Sequence, residues 1–154
     1  MGTNGVLVPP PGYLQGVREL CDRYGIVYIA DEVMVGFGRV GEWFAVDRFG
    51  VVPDLITFAK GVNSGYVPLG GVAISARIAA HFDTVSFQGG LTYSGHPLAC
   101  AAGVATFEVV RRDGILERVR DLGDRVVAPR LAAMQAAHPS VGDVRGLGLF
   151  WAIE

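Results

Sequence analysis

The stretch IADEVMVGFGRVG (Ile29–Gly41) contains GFGRVG (Gly36–Gly41), a literal G-x-G-x-x-G. In a dinucleotide-binding unit a strand runs straight into the first glycine, a helix opens at the last, and an acid follows about 20 residues on. Here the apolar run Ile26–Ala30 reads as a strand, but five residues, Asp31 to Val35, separate it from Gly36. After Gly41 comes EWFAVDRFGVVPD, about one helical turn cut by Gly50 and Pro53, where a crossover helix needs ten or more periodic residues. Asp54, the acid at suitable spacing, precedes the next strand instead of ending it. The glycines therefore read as tight turns, and the informative residue is Asp31 at the end of the apolar run.

Working outward, Leu14, Val17, Leu20, Cys21 and Tyr24 fall at helical spacing and Gly25 stops that helix. The unbroken apolar run that follows predicts a strand covered on both faces, as in a parallel sheet. DLITFAKG predicts a second strand over Leu55–Ala59 ending at Lys60, and GGVAIS a third over Gly70–Ser75. The glycine-rich link between these two is too short for a parallel crossover, so the sheet is expected to be mixed. Ser75 is placed to cap a helix over Ala76–Phe82, and Pro97 to sit in the first turn of one reaching Arg112. Ile115, Leu116, Val119, Leu122 and Val126 form an apolar stripe on a further helix, kinked at Pro129, before VGDVRGLGLFWAIE closes as a strand pair. The change of pattern near Asp113 predicts two parts, 1–113 and 114–154. The expected class is α/β.

Hydrophobic residues make up 51% of the 154 and charged residues only 18%, with 22 glycines, a net charge of -2 and a mean hydropathy of +0.38. That surplus predicts part of a larger core or a subunit interface. No basic cluster with interleaved aromatics appears, so a nucleic-acid partner is not expected. Cys21 and Cys100 sit in apolar patterns and read as buried thiols in a reducing compartment; His81, His96 and His138 are too scattered for a metal. No apolar run approaches 18 residues, so no membrane span is expected, and cytoplasm is the default location.

In open α/β sheets ligands gather at the carboxyl ends of strands, where both Asp31 and Lys60 fall. If the two strands are neighbours, a carboxylate and an amine share a cleft. Their ordinary reading is an ion pair or two solvated charges. The other is chemical: an amine emerging from a buried strand is desolvated and becomes the nucleophile of a Schiff base. Pyridoxal phosphate needs such a lysine together with an acid that keeps its pyridine nitrogen protonated. Asp31 suits that role.

The blocks ADEVMVGFGRVGEWFA (30–45), GVVPDLITFAKGVNSGYVPLGGVAIS (50–75), GGLTYSGHPLACAAG (89–103) and DVRGLGLFWAIE (143–154) resemble the class III, or omega, aminotransferases. These are fold type I pyridoxal-phosphate enzymes, and the resemblance spans the whole chain. It implies a large cofactor domain with a mostly parallel mixed sheet over 1–113 and the start of a small α+β domain over 114–154. It further implies that Asp31 pairs with the pyridine nitrogen, Val33 packs on the ring face and Lys60 carries the Schiff base and moves protons. By the same resemblance Thr92 would contact phosphate across a homodimer interface. The reaction implied moves an amino group from an amine or omega-amino acid to a keto acid such as pyruvate, with taurine or beta-alanine the subgroup most similar. A related aminomutase and a noncatalytic segment remain as alternatives.

Other residues keep two readings. Arg39 is structural or binds a substrate carboxylate; His96 caps a helix or does acid-base work; Tyr93 and Trp43 are core or line the substrate pocket; Glu32 makes local hydrogen bonds or none. Met34 departs from the pattern, since many relatives have a glutamine there that contacts the cofactor. Against full-length members the chain corresponds to roughly the middle third, so on its own it is expected to bind cofactor weakly.

Overall fold

A computed structural model describes residues 1–154. Helix α1 (Tyr13–Tyr24) buries Cys21 and ends as its sequence requires: Gly25 takes a left-handed conformation with φ 66°, and the N–H groups of Gly25 and Ile26 both reach the Cys21 carbonyl. The chain then enters β1 (Ile29–Asp31), which pairs in parallel with β2 (Leu55–Phe58), Ile29 opposite Leu55 and Asp31 opposite Thr57. β3 (Gly71–Ile74) runs antiparallel on the other side of β2, with Leu55 opposite Ile74. The sheet is mixed, in the order β1-β2-β3.

The amino end of β2 is fixed by Asp54. Its buried carboxylate accepts from the Tyr28 N–H at 2.8 Å, from Arg18 of α1 at 3.0 Å and from Arg77 at 2.6 Å. Arg77 belongs to α3 (Ala76–Ala79), which Ser75 caps by accepting from the Ile78 N–H. The helix expected to reach Phe82 stops at Ala79 and tightens into a 3₁₀ turn over Ala80–Asp83.

Between β1 and β2 lies one short helix, α2 (Ala45–Arg48). α4 (Pro97–Arg112) opens with its proline at the start, where the absent N–H has no intrahelical partner to lose. α5 (Ile115–Leu122) passes through a π turn at Gly123–Val127 into α6 (Ala128–Ala137). At the place of the expected kink the helix widens into this π turn, which ends two residues before Pro129. A proline ring crowds the carbonyl four residues before it, here Arg125 inside the π turn, and the wider turn relieves that crowding.

The hairpin of β4 (Val144–Leu147) and β5 (Phe150–Ile153) closes the chain. Its turn docks on the glycine loop of the first half. The Leu149 N–H bonds the Arg39 carbonyl, and a Cβ on Gly148, whose φ is +58°, would stand 2.7 Å from the Val40 Cα. Val35, Val40 and Ala45 form the buried cluster at this junction, with Met34, Leu147 and Phe150 packed against it. Arg120 of α5 adds bonds to the Gly41 carbonyl at 2.6 Å and to Glu42 at 2.7 Å.

Two expectations fail on exposure. Ile26, Val27 and Ile29 are 53%, 42% and 55% exposed, so the first strand is not covered on both faces by residues 1–154, and its paired part begins only at Ile29. Cys100 is exposed where a buried thiol was expected, because α4 turns only Ala99, Gly103 and Val110 inward. Large side chains stay exposed elsewhere, Leu91 and Tyr93 among them. No helix is long and apolar enough to cross a membrane.

Candidate active site

The parallel pairing of β1 with β2 puts their carboxyl ends at the same edge of the sheet. Asp31 lies opposite Thr57, and Lys60 follows Thr57 by three residues. Lys60 opens a 3₁₀ turn (Lys60–Asn63) with φ 44°, a left-handed conformation that costs a non-glycine residue about 1–2 kcal/mol. The next residue shows what the strain achieves. A Cβ on Gly61 would lie 3.0 Å from the Gly36 carbonyl oxygen and 3.1 Å from the Phe37 Cβ, so the lysine turn rests directly on the glycine loop.

That contact forms one wall of the largest cavity, about 620 Å³, lined by Lys60, Met34, Arg39 and Phe37 from the first half of the chain and by Val119 and Phe150 from the second. Phe37, itself at φ 58°, packs its ring within 5.2 to 5.4 Å of Phe44, Phe58 and Phe107. No acidic residue lines this cavity, and neither Lys60 nor Arg39 has a salt-bridge partner.

Lys60 is also the only lysine among the 13 Lys and Arg residues. Guanidinium groups do not lose their proton in proteins, so no other side chain here can present a free amine. The count was legible in the sequence and strengthens the choice of Lys60. The burial expected around it is absent, since Lys60 is exposed.

Asp31 is likewise exposed, and its Oδ1 accepts from the Val33 N–H at 3.0 Å. It borders a different, smaller cavity of about 250 Å³, with Tyr28, Glu32 and Val46. The structure therefore brings Asp31 and Lys60 to one sheet edge but not onto one enclosed cavity. Both being exposed, residues 1–154 leave the space between them open. Thr92 lies apart from both, in an exposed loop beside a third cavity lined by Leu69, Tyr93 and Ala99.

The residues with two readings now separate. His96 caps α4, its Nδ1 accepting from the Leu98 N–H at 3.2 Å. Trp43 packs edge-on to Phe107 with the Arg111 guanidinium over its ring, away from the Lys60 cavity, and Tyr93 is 81% exposed. Glu32 is 2% exposed, and its two carboxylate oxygens accept from the Ala45 and Val46 N–H groups at 2.8 and 2.9 Å. Burial pushes its carboxyl above the ordinary value, against the pull of those two donors. Its signal in the sequence was a second acid inside an otherwise apolar run, a position that folds only if the charge finds donors.

Comparison with known proteins gives a consistent picture. The family described as "Aminotransferase class-III" matches residues 1–154. An omega-aminotransferase of Caulobacter vibrioides is 48% identical over 99% of this chain and 36% of its own length. A taurine–pyruvate aminotransferase of Bilophila wadsworthia is 42% identical over 97% of the chain and 34% of its own. Among solved structures, a taurine:2-oxoglutarate aminotransferase from Bifidobacterium kashiwanohense, in complex with pyridoxal phosphate and glutamate, superimposes with a TM-score of 0.96 at 52% identity. That match covers 99% of this chain and 34% of the solved one. An amine transaminase from an uncultivated Pseudomonas species, bound to pyridoxal phosphate, also gives 0.96, at 39% identity over 100% of this chain and 36% of its own. The chain thus spans about a third of the length of the relatives it matches.

Proposed function

Because the chain belongs to the class III aminotransferases, we propose that the whole protein is a pyridoxal-phosphate-dependent transaminase, passing an amino group from an amine or omega-amino acid to a keto acid such as pyruvate. The observation that carries this reading is the placement of Lys60: the one side-chain amine in the chain, exposed on the largest cavity, at the sheet edge shared with Asp31.

The residues present suit the cofactor. The Lys60 cavity holds two unpaired cations and no acid, which favours anionic groups. Asp31 Oδ1 is held by the Val33 N–H, and its Oδ2 has no partner in the chain and is free to meet a protonated ring nitrogen. Pyridoxal phosphate, when bound, supplies an aldehyde carbon that condenses with amines and a ring that draws electrons from the substrate carbon. Lys60 provides the amine and then moves a proton as general acid and base. Asp31 keeps the proton on the ring nitrogen, and Val33, fixed beside it, packs on the ring face. Thr92 binds phosphate from across a homodimer interface, a role consistent with its loop carrying Leu91 and Tyr93 at 82% and 81% exposure. On this reading residues 1–113 belong to the cofactor domain and 114–154 begin the small one, and the enzyme works in the cytoplasm on small molecules. Taurine as donor is supported by the two taurine aminotransferases among the relatives named above, and beta-alanine is the other donor of the subgroup that the sequence resembles.

An absorption band red-shifted from that of free pyridoxal phosphate on adding it to the whole protein, lost in Lys60→Ala, supports the proposal. A red-shifted band that survives Lys60→Ala refutes it, and binding without any transamination favours the noncatalytic alternative.

A further inference from the structure

Glu32 is the one acid of the DEV segment that does not face solvent, and each of its hydrogen-bonding groups ties a different element. Its N–H continues the sheet by donating to the Thr57 carbonyl of β2 at 2.9 Å, and its carbonyl accepts from Gly36 at 2.8 Å, closing the turn that leads into the glycine loop. Its carboxylate reaches thirteen residues on and holds the start of α2 by two N–H groups. No cation lies within salt-bridge distance, so those two donors carry the compensation for a buried charge. In extended backbone, neighbouring side chains point to opposite faces. Anchoring Glu32 inward therefore turns Asp31 outward, and the turn that follows brings the Val33 N–H onto the Asp31 carboxylate at 3.0 Å.

We infer that Glu32 is the positioning residue of the cofactor site: its two-point grip on α2 fixes the direction from which Asp31 and Val33 meet the pyridine ring. The inference rests on the reading of Asp31 as the ring-nitrogen partner. Glutamine at position 32 would keep the size but turn an N–H₂ toward a backbone N–H, breaking one of the two bonds; aspartate would keep the charge but fall one methylene short.

The test uses the whole protein and three variants, Glu32→Gln, Glu32→Asp and Asp31→Asn, with pyridoxal-phosphate affinity by equilibrium dialysis, the visible spectrum of the bound cofactor and the thermal midpoint. Glu32→Gln is expected to weaken cofactor binding by up to about tenfold, the worth of the Asp31 bond that it misdirects, and to change the spectrum in the same direction as Asp31→Asn, with Glu32→Asp intermediate. Should Glu32→Gln fail to fold, the Glu32→Asp spectrum carries the same comparison. A lowered thermal midpoint with wild-type affinity and spectrum would overturn the positioning role while leaving Asp31 in place. If Asp31→Asn itself changes neither affinity nor spectrum, the cofactor reading of Asp31 fails, and the role of Glu32 falls with it.

Discussion

Asp31 stands opposite Thr57 in the parallel β1–β2 pairing, and this register sets an acid and an amine at one edge of the sheet. With strands about 4.8 Å apart and Lys60 three residues beyond Thr57, the two backbones are within reach of a single small aromatic ring. The acid's contribution is electrostatic. At about 4 Å and an effective dielectric near 20, a carboxylate and a pyridinium attract by roughly 4 kcal/mol before desolvation. Asp31→Asn is therefore expected to lower kcat/KM by on the order of 10³ in steady-state assays of the whole protein. A loss below about threefold would show that the ring nitrogen does not depend on it.

Thr92 is expected to act on affinity more than on turnover. Replacing it with valine removes one hydrogen bond to an anionic phosphate, about 1.5 kcal/mol or more, so cofactor dissociation should rise by roughly tenfold with kcat nearly unchanged at saturation. Because Thr92 is remote from the Lys60 cavity of its own chain, the effect should appear in mixed dimers: wild-type subunits paired with Lys60→Ala, Thr92→Val partners should leave the one competent site weakened.

Asp54 makes acid stability specific. The Arg77 guanidinium, then the Tyr28 N–H, then Arg18 hold its carboxyl well below the usual carboxylate range. A group depressed in the folded state stabilises fully above its unfolded value of about 3.9, and that contribution is lost as pH falls below it. Thermal midpoints of the wild type should therefore fall progressively as the pH drops from about 4 toward the strongly depressed folded value, and those of Asp54→Asn should fall less steeply while starting lower. Parallel curves would remove Asp54 from the account.

Gly148 should tolerate no side chain. Alanine there must hold a positive φ and insert a methyl 2.7 Å from the Val40 Cα. Backbone strain of about 1 kcal/mol and overpacking of about 1–3 kcal/mol add to roughly 2–4 kcal/mol of lost stability, measurable by urea denaturation. A change under about 0.5 kcal/mol would mean that the hairpin turn does not press on the glycine loop.

Much of this was legible from residues alone, where the determinant is local. Gly25, Pro97 and Ser75 mark helix ends because their own backbones or side chains do the work, and the short link before GGVAIS excluded a parallel crossover. What escaped depends on contacts distant in sequence. GFGRVG excluded a pyrophosphate turn by its context, yet nothing local tells that its valine would be sealed by a hairpin turn near Gly148. Glu32 could be flagged as an acid in an apolar run, but its donors lie in a helix of four residues without a strong pattern of its own. The exposure of Ile26 and Ile29 illustrates the opposite limit: composition reports that a face is apolar, not which residues cover it.

The central claim is that Lys60 is the amine that captures the cofactor. Borohydride reduction of the whole protein with pyridoxal phosphate, followed by peptide mass spectrometry, tests it directly, because residues 1–154 contain no other lysine. The predicted result is a phosphopyridoxyl group on Lys60, diminished by prior incubation with an amino donor, which leaves the cofactor in its aminated form, and restored by a keto acid, which returns it to the aldehyde. Labelling at any other amine with Lys60 unmodified would contradict the claim.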